Sequence, residues 1–282
     1  LGDVYKRQMS YKATASEVSK LRNATGAGMM DSKKALEEAG GDFDKAVEIL
    51  RKKGQKVAAN RADRESTEGA VIAKVNAAHN KGVIIALNCE TDFVAKNEDF
   101  VKLANELAEL ALDYNTKEEL LKAPYAGITV EEKLTEQTGV IGEKIEIGNF
   151  QTIEGSSLNA YIHAGNRIAA VVALSGEYDG AKEVAYDVAM QVAAMNPVAL
   201  DETQVAQSII DTELNIAREQ LKAEGKPENM IENIAKGKLQ KFFKENTLVH
   251  QASIKDGKVA VQDVVKAVNP DLKVTGFIRY SI

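Results

Sequence analysis

Asn88-Cys89-Glu90-Thr91-Asp92-Phe93-Val94-Ala95-Lys96-Asn97 follows the apolar run Val83-Ile84-Ile85-Ala86-Leu87 and precedes an amphipathic pattern that includes Phe100, Leu103, Ala104 and Leu107. The stretch reads as a strand-to-helix corner. Thr91, Asp92 and Asn97 favour turns and helix N-caps, so the chain leaves a buried strand, turns in the open and starts a helix near Asn97. Phe93 is the anomaly. On a polar turn a large aromatic is either tucked back under the helix as a staple or displayed as an anchor for a partner's pocket.

Outward from the corner the same scheme appears twice. Residues 70–76 and 83–88 read as a hairpin with a turn at Lys81-Gly82, followed by the helix from Asn97, further helical patterns over 117–122 and 130–139, and a strand over 145–153. Residues 158–163, a turn at Gly165-Asn166, 168–174 and a helix over 179–195 repeat strand, turn, strand and helix. The second copy carries Ser175-Gly176-Glu177-Tyr178-Asp179 where the first has Thr91-Asp92-Phe93. A short helix over 261–268 and a strand over 273–280 close the chain.

Two segments stand outside this repeat. Residues 16–24, 31–39 and 42–53 are short helical patterns broken by Gly26, Gly40-Gly41 and Gly54, with Asp31 and Asp42 as N-caps, and Met29 and Met30 fall in the loop between the first two. Residues 201–223 and 227–243 form two long helices around Gly225-Lys226-Pro227. Ile210, Leu214, Ala217 and Leu221 face Met230, Ile231, Ile234 and Leu239 across an antiparallel coiled-coil hairpin.

The fold class is α+β: an N-terminal three-helix bundle, then two similar antiparallel sheet-plus-helix subdomains with the coiled-coil hairpin inserted. Residues 1–8 read as a non-native leader before Met9, with neither signal-peptide h-region nor cleavage site. The boundaries are a helical domain over 9–54, a polar linker with some helix over 55–69, an N-subdomain over 70–154 and a C-subdomain over 155–282, with the hairpin over 201–246.

Composition narrows the chemistry. A chain of 282 residues with 44% hydrophobic and 28% charged residues buries a sizeable core, and with no Trp and 5% aromatics that core is mostly aliphatic. The net charge of −6 argues against a nucleic-acid partner, because phosphate contacts need clustered Lys and Arg. A single cysteine, Cys89, excludes an internal disulfide, and no apolar run approaches the ~20 residues of a membrane span, which together point to the cytoplasm. His79, His163 and His250 are scattered, and neither metal-ligand spacing nor a nucleophile elbow occurs. The expectation is a protein that is not an enzyme in the covalent sense, holds no cofactor or metal, and binds another protein.

The words Cys89-Glu90-Thr91-Asp92-Phe93-Val94-Ala95-Lys96 and Thr25-Gly26-Ala27-Gly28-Met29-Met30-Asp31-Ser32-Lys33-Lys34-Ala35-Leu36 resemble the two signature segments of the bacterial elongation factor Ts family. His163-Ala164-Gly165-Asn166-Arg167-Ile168 and Thr275-Gly276-Phe277-Ile278-Arg279 match further words, in order, from about Ala13 to Ile282. The resemblance implies a guanine nucleotide exchange factor for elongation factor Tu. It further implies a ubiquitin-associated-type (UBA-like) first domain, and a corner Thr91-Asp92-Phe93-Val94 that intrudes near the Mg²⁺ site of that GTPase. Arg22, Met29, Met30 and Lys33 are then expected against its G domain, and His163 and Arg167 towards another of its domains. Family members often carry a further C-terminal helix that this sequence lacks. The rival expectation is a ribosome-associated or ubiquitin-like adaptor, which leaves an exposed Phe93 unused.

Overall fold

The computed structural model describes residues 11–282, so the expected leader lies outside the described residues. Three helices come first, α1 (Ala15–Thr25), α2 (Met29–Glu38) and α3 (Phe43–Arg61), then strands β1 (Glu68–Val75) and β2 (Lys81–Cys89). The corner holds the short α4 (Asp92–Ala95). Beyond it lie α5 (Glu98–Ala111), α6 (Lys117–Lys122), the short strands β3 (Pro124–Tyr125) and β4 (Ile128–Thr129), and α7 (Val130–Ile141). Strands β5 (Glu146–Glu154), β6 (Ser157–Ile162) and β7 (Ile168–Leu174) precede α8 (Ala181–Met195). The paired helices α9 (Gln207–Ala223) and α10 (Glu228–Asn246), then α11 (Val261–Val268) and β8 (Val274–Ser281), complete an α+β chain.

Two compact units interleave along this order. One comprises the residues up to Gly69 with Asn88–Asn97 and Glu118–Glu146. In it Thr14 starts α1 with a capping box, its hydroxyl accepting the Glu17 N–H while Glu17 Oε2 accepts the Thr14 N–H at 2.8 Å. Val18, Leu21, Ala35, Leu36 and Ala46 pack as the small aliphatic core of α1, α2 and α3. Two expectations fail here. Met29 and Met30 are the first residues of α2 and not loop residues, because Gly28 takes the cap position. Asp31 therefore lies in the first helical turn, where a carboxylate suits the helix dipole, and pairs with Lys53 of α3 at 2.5 Å.

The third helix also runs on through Gly54 to Arg61, into the segment expected as a linker. Gly54 is buried and does not stop the helix. It lies against Gly139 of α7, where a Cβ on Gly139 would stand 2.3 Å from the Gly54 Cα. The absent side chain serves a close helix crossing, and the Val57-Ala58-Ala59 run beyond it sustains the helix.

The other unit comprises Ala70–Leu87, Glu98–Lys117 and Ile147–Ile282. It contains two three-stranded sheets, of order β1-β2-β5 and β6-β7-β8, the second antiparallel throughout. Val71, Ala73, Ile84 and Ala86 of the first pack with Leu158, Ala169, Val171 and Ala173 of the second. The other face of β7, Ala170, Val172 and Leu174, packs on Val184, Val188 and Val192 of α8 and Val265 of α11. In β1 Ala70 to Ala73 are all buried, as in a strand covered on both faces.

In the α9–α10 hairpin Ala217, Leu221, Ile231 and Ala235 form the seam, with Leu214 and Ile234 against it. Arg218 grips both oxygens of Glu232 at 2.9 and 2.8 Å. Met230 is 49% exposed and outside the seam, since it lies about 100° around the helix from Ile231. Ile210 and Leu239 pack instead with Val205 and Phe243.

Candidate partner-binding site

Strand β2 delivers the corner from a fully buried Cys89, whose thiol donates to the Thr91 carbonyl at 3.2 Å. Burial, with the nearby Glu143 carboxylate adding to it, pushes that thiol up to about 12. The next turn is held by two carboxylates. Glu143 Oε2 accepts the Glu90 N–H at 3.1 Å and the Thr91 N–H at 3.0 Å, and its Oε1 accepts the Thr91 hydroxyl at 2.7 Å. Glu90 accepts Arg61 Nη1 on both oxygens at 2.8 Å and the Lys144 N–H at 2.7 Å. The Lys144 amide and then the Arg61 guanidinium hold the Glu90 carboxyl below the usual carboxylate range.

These contacts shape the exposed turn. Because the Thr91 hydroxyl is directed to Glu143, α4 starts from Thr91 without a side-chain cap, contrary to the capping role expected of that residue. Asp92 is held by Lys96 at 2.6 Å, which keeps its carboxyl low. Phe93, on this one-turn helix, is 84% exposed, so the stapled arrangement does not occur. Val94 beside it is half-buried.

On the bundle, Arg22, Met29, Met30 and Lys33 line one surface depression together with Ala13, Ala15, Val18 and Ser19. Met29 and Met30 are each 63% exposed. An apolar floor of adaptable side chains between two cations suits a protein segment with apolar and acidic residues.

In the other unit, His163 and Arg167 flank the turn that joins β6 to β7. The His163 N–H donates to the Ile168 carbonyl at 2.8 Å, and Gly165 and Asn166 take the left-handed conformation that the tight turn requires. His163 Nδ1 lies 2.9 Å from the Tyr161 hydroxyl, and Arg167 donates to the Ile282 carbonyl at 3.5 Å.

The fold thus gathers Arg22, Met29, Met30 and Lys33 in one place and His163 with Arg167 in another. The sequence alone assigns no part to Arg61, Glu90 or Glu143, the three residues that hold the corner. Glu90 stands inside the corner stretch, but nothing local to Glu143 marks it. Among the described residues no group of three or more His, Cys, Asp or Glu could hold a metal ion.

Comparison with known proteins gives one result throughout. A family model described as elongation factor TS matches residues 90–282. Elongation factor Ts of Christiangramia forsetii is 65% identical over 271 residues, covering 96% of this chain and 99% of the relative. That of Flavobacterium psychrophilum is 60% identical over 269 residues, 95% and 98% of the two chains, and that of Porphyromonas gingivalis is 48% identical over 274, again 95% and 98%.

Proposed function

The chain belongs to the elongation factor Ts family, and from that premise we propose that it is the guanine nucleotide exchange factor of elongation factor Tu in translation elongation. It acts in the cytoplasm on the GDP-bound GTPase and on its nucleotide-free form, without covalent chemistry and without binding nucleic acid. The observation that carries the mechanism is Phe93, 84% exposed on a corner whose two preceding residues, Glu90 and Thr91, are fixed by hydrogen bonds.

Exchange requires tighter binding to the empty or distorted GTPase than to the nucleotide-bound one, and linkage makes that preference reciprocal. Burying Phe93 in a pocket of the partner supplies roughly 1.5 to 3 kcal/mol, enough to offset displacement of a helix that supports its Mg²⁺ and phosphate site. Loss of the Mg²⁺ charge then weakens the hold on GDP. The Mg²⁺ and the nucleotide belong to the GTPase. Asp92 and Val94 line the same contact, while Arg22, Met29, Met30 and Lys33 dock the G domain and His163 and Arg167 meet a further domain. We read the bundle over 9–54 as a UBA-like docking domain, 70–154 and 155–282 as the paired subdomains of the body, and the hairpin within 201–246 as an antiparallel coiled coil.

The test is the release of fluorescent GDP from elongation factor Tu, with the wild type and Phe93→Ala. The wild type accelerates release and the variant loses most of the effect. Equal acceleration by both moves the lever away from Phe93, and acceleration by neither rejects the function.

A further inference from the structure

Phe93 has almost no packing of its own, so its direction is set by the backbone that carries it. That backbone is fixed from outside. Glu143 gathers the two successive N–H groups of Glu90 and Thr91 on one oxygen and the Thr91 hydroxyl on the other, immediately before the helical turn on which Phe93 stands. We propose that Glu143 is the positioning residue of the exchange site, aiming Phe93 for insertion. This rests on the reading of Phe93 as the inserted side chain.

Three features support the assignment. The first is that Glu143 is itself immobilised. Gly142, at φ +82°, ends α7 with its N–H on the Thr138 carbonyl at 2.9 Å, and the Ile145 N–H returns to the Thr138 hydroxyl at 3.1 Å, so the loop carrying Glu143 is tied to α7 at both ends. Secondly, α7 is locked to α3 by the Gly54–Gly139 crossing, and the last residue of α3, Arg61, reaches the same corner through Glu90. The third feature is the choice of acceptor. Two convergent amides and a hydroxyl form a nest that one carboxylate satisfies with charge-assisted bonds, while water in its place would be an acceptor with no fixed position.

The experiment measures fluorescent GDP release from elongation factor Tu over a range of concentrations of the full chain. Glu143→Ala is expected to lower the release rate at saturating factor by roughly tenfold or more, as a misaligned reacting group does, with the half-saturating concentration little changed. Glu143→Gln is expected to stay within about threefold of the wild type, because its amide oxygen still accepts both N–H groups while its NH₂ donates to the Thr91 oxygen. Because Glu143 acts through Phe93, the double variant Phe93→Ala/Glu143→Ala is expected to be no slower than Phe93→Ala alone. A multiplicative loss in the double variant, a Glu143→Gln as slow as Glu143→Ala, or an unchanged Glu143→Ala each overturns the assignment. Should Glu143→Ala fail to fold, Thr91→Val removes the hydroxyl contact and is expected to slow release about tenfold, the share of a single charge-assisted hydrogen bond. An unchanged rate there also overturns it. A normal rate for Phe93→Ala sinks instead the reading on which the proposal rests, and the two failures are told apart by that variant.

Discussion

Gly54 and Gly139 meet unequally. A Cβ on Gly139 would stand 2.3 Å from the Gly54 Cα, whereas a Cβ on Gly54 would find its nearest neighbour, the Thr135 carbonyl oxygen, at 3.6 Å. Steric conflict is therefore confined to one of the two positions. Gly139→Ala should destabilise the chain by about 1 to 3 kcal/mol through overpacking of α3 on α7. Gly54→Ala should stay within about 1 kcal/mol of the wild type, since alanine adds helix propensity at a site with room for it. Urea unfolding of the two variants checks the asymmetry, and equal losses would contradict the crossing geometry.

At Phe93 stability and function should separate. An 84% exposed side chain contributes little to the fold, so Phe93→Ala should change unfolding free energy by no more than about 0.5 kcal/mol. A thermal scan run on the protein used for the exchange assay decides this. A large drop in Tm would mean that Phe93 packs on its own chain in solution.

Acid should loosen the first helix. Hydrogen bonds from the Thr14 and Tyr11 hydroxyls and the Thr14 N–H lower the Glu17 carboxyl from 4.5 to about 2. A depressed folded-state value means that the capping contact is fully present above the unfolded carboxylate value and is lost as pH falls from about 4.5 towards 2. Carboxyl chemical shifts read this directly, and Glu17→Gln should remove that part of the pH dependence. An ordinary titration of Glu17 would refute it.

The single thiol should be silent in the native state. Burial, together with Glu143, pushes Cys89 up to about 12, so its thiolate fraction near pH 8 is about 10³-fold below that of an ordinary thiol. Labelling by a disulfide reagent should therefore track the urea unfolding curve. Rapid modification of the folded protein would show an open corner.

Where local pattern alone decides an element, sequence and structure coincide. β7 over Ile168–Leu174 and α11 over Val261–Val268 fall where the sequence puts them, each a run with one period and clear punctuation. Gly54 misleads because a glycine marks either a helix end or a close approach, and the deciding partner, Gly139, is remote in sequence. Met230 misleads because the seam of a hairpin depends on which side of the tip each helix starts.

The same limit applies to the candidate site. Residue types single out Phe93, Met29, Met30 and the His163 turn, but that Phe93 is displayed and not stapled is seen only in the fold, which also brings the sequence-remote Glu143 onto the two residues before it. Composition does not reveal that the Thr91 hydroxyl is engaged elsewhere.

Among the described residues the three large apolar side chains most open to water are Phe93, Met29 and Met30, and all three lie on residues read as facing a partner. Any protein that covers them releases the water ordered over apolar surface, so association carries a negative heat-capacity change. Its enthalpy then becomes more favourable as temperature rises. The temperature dependence of that enthalpy is then set by the hydration of a few side chains that do not hold the chain's own fold together.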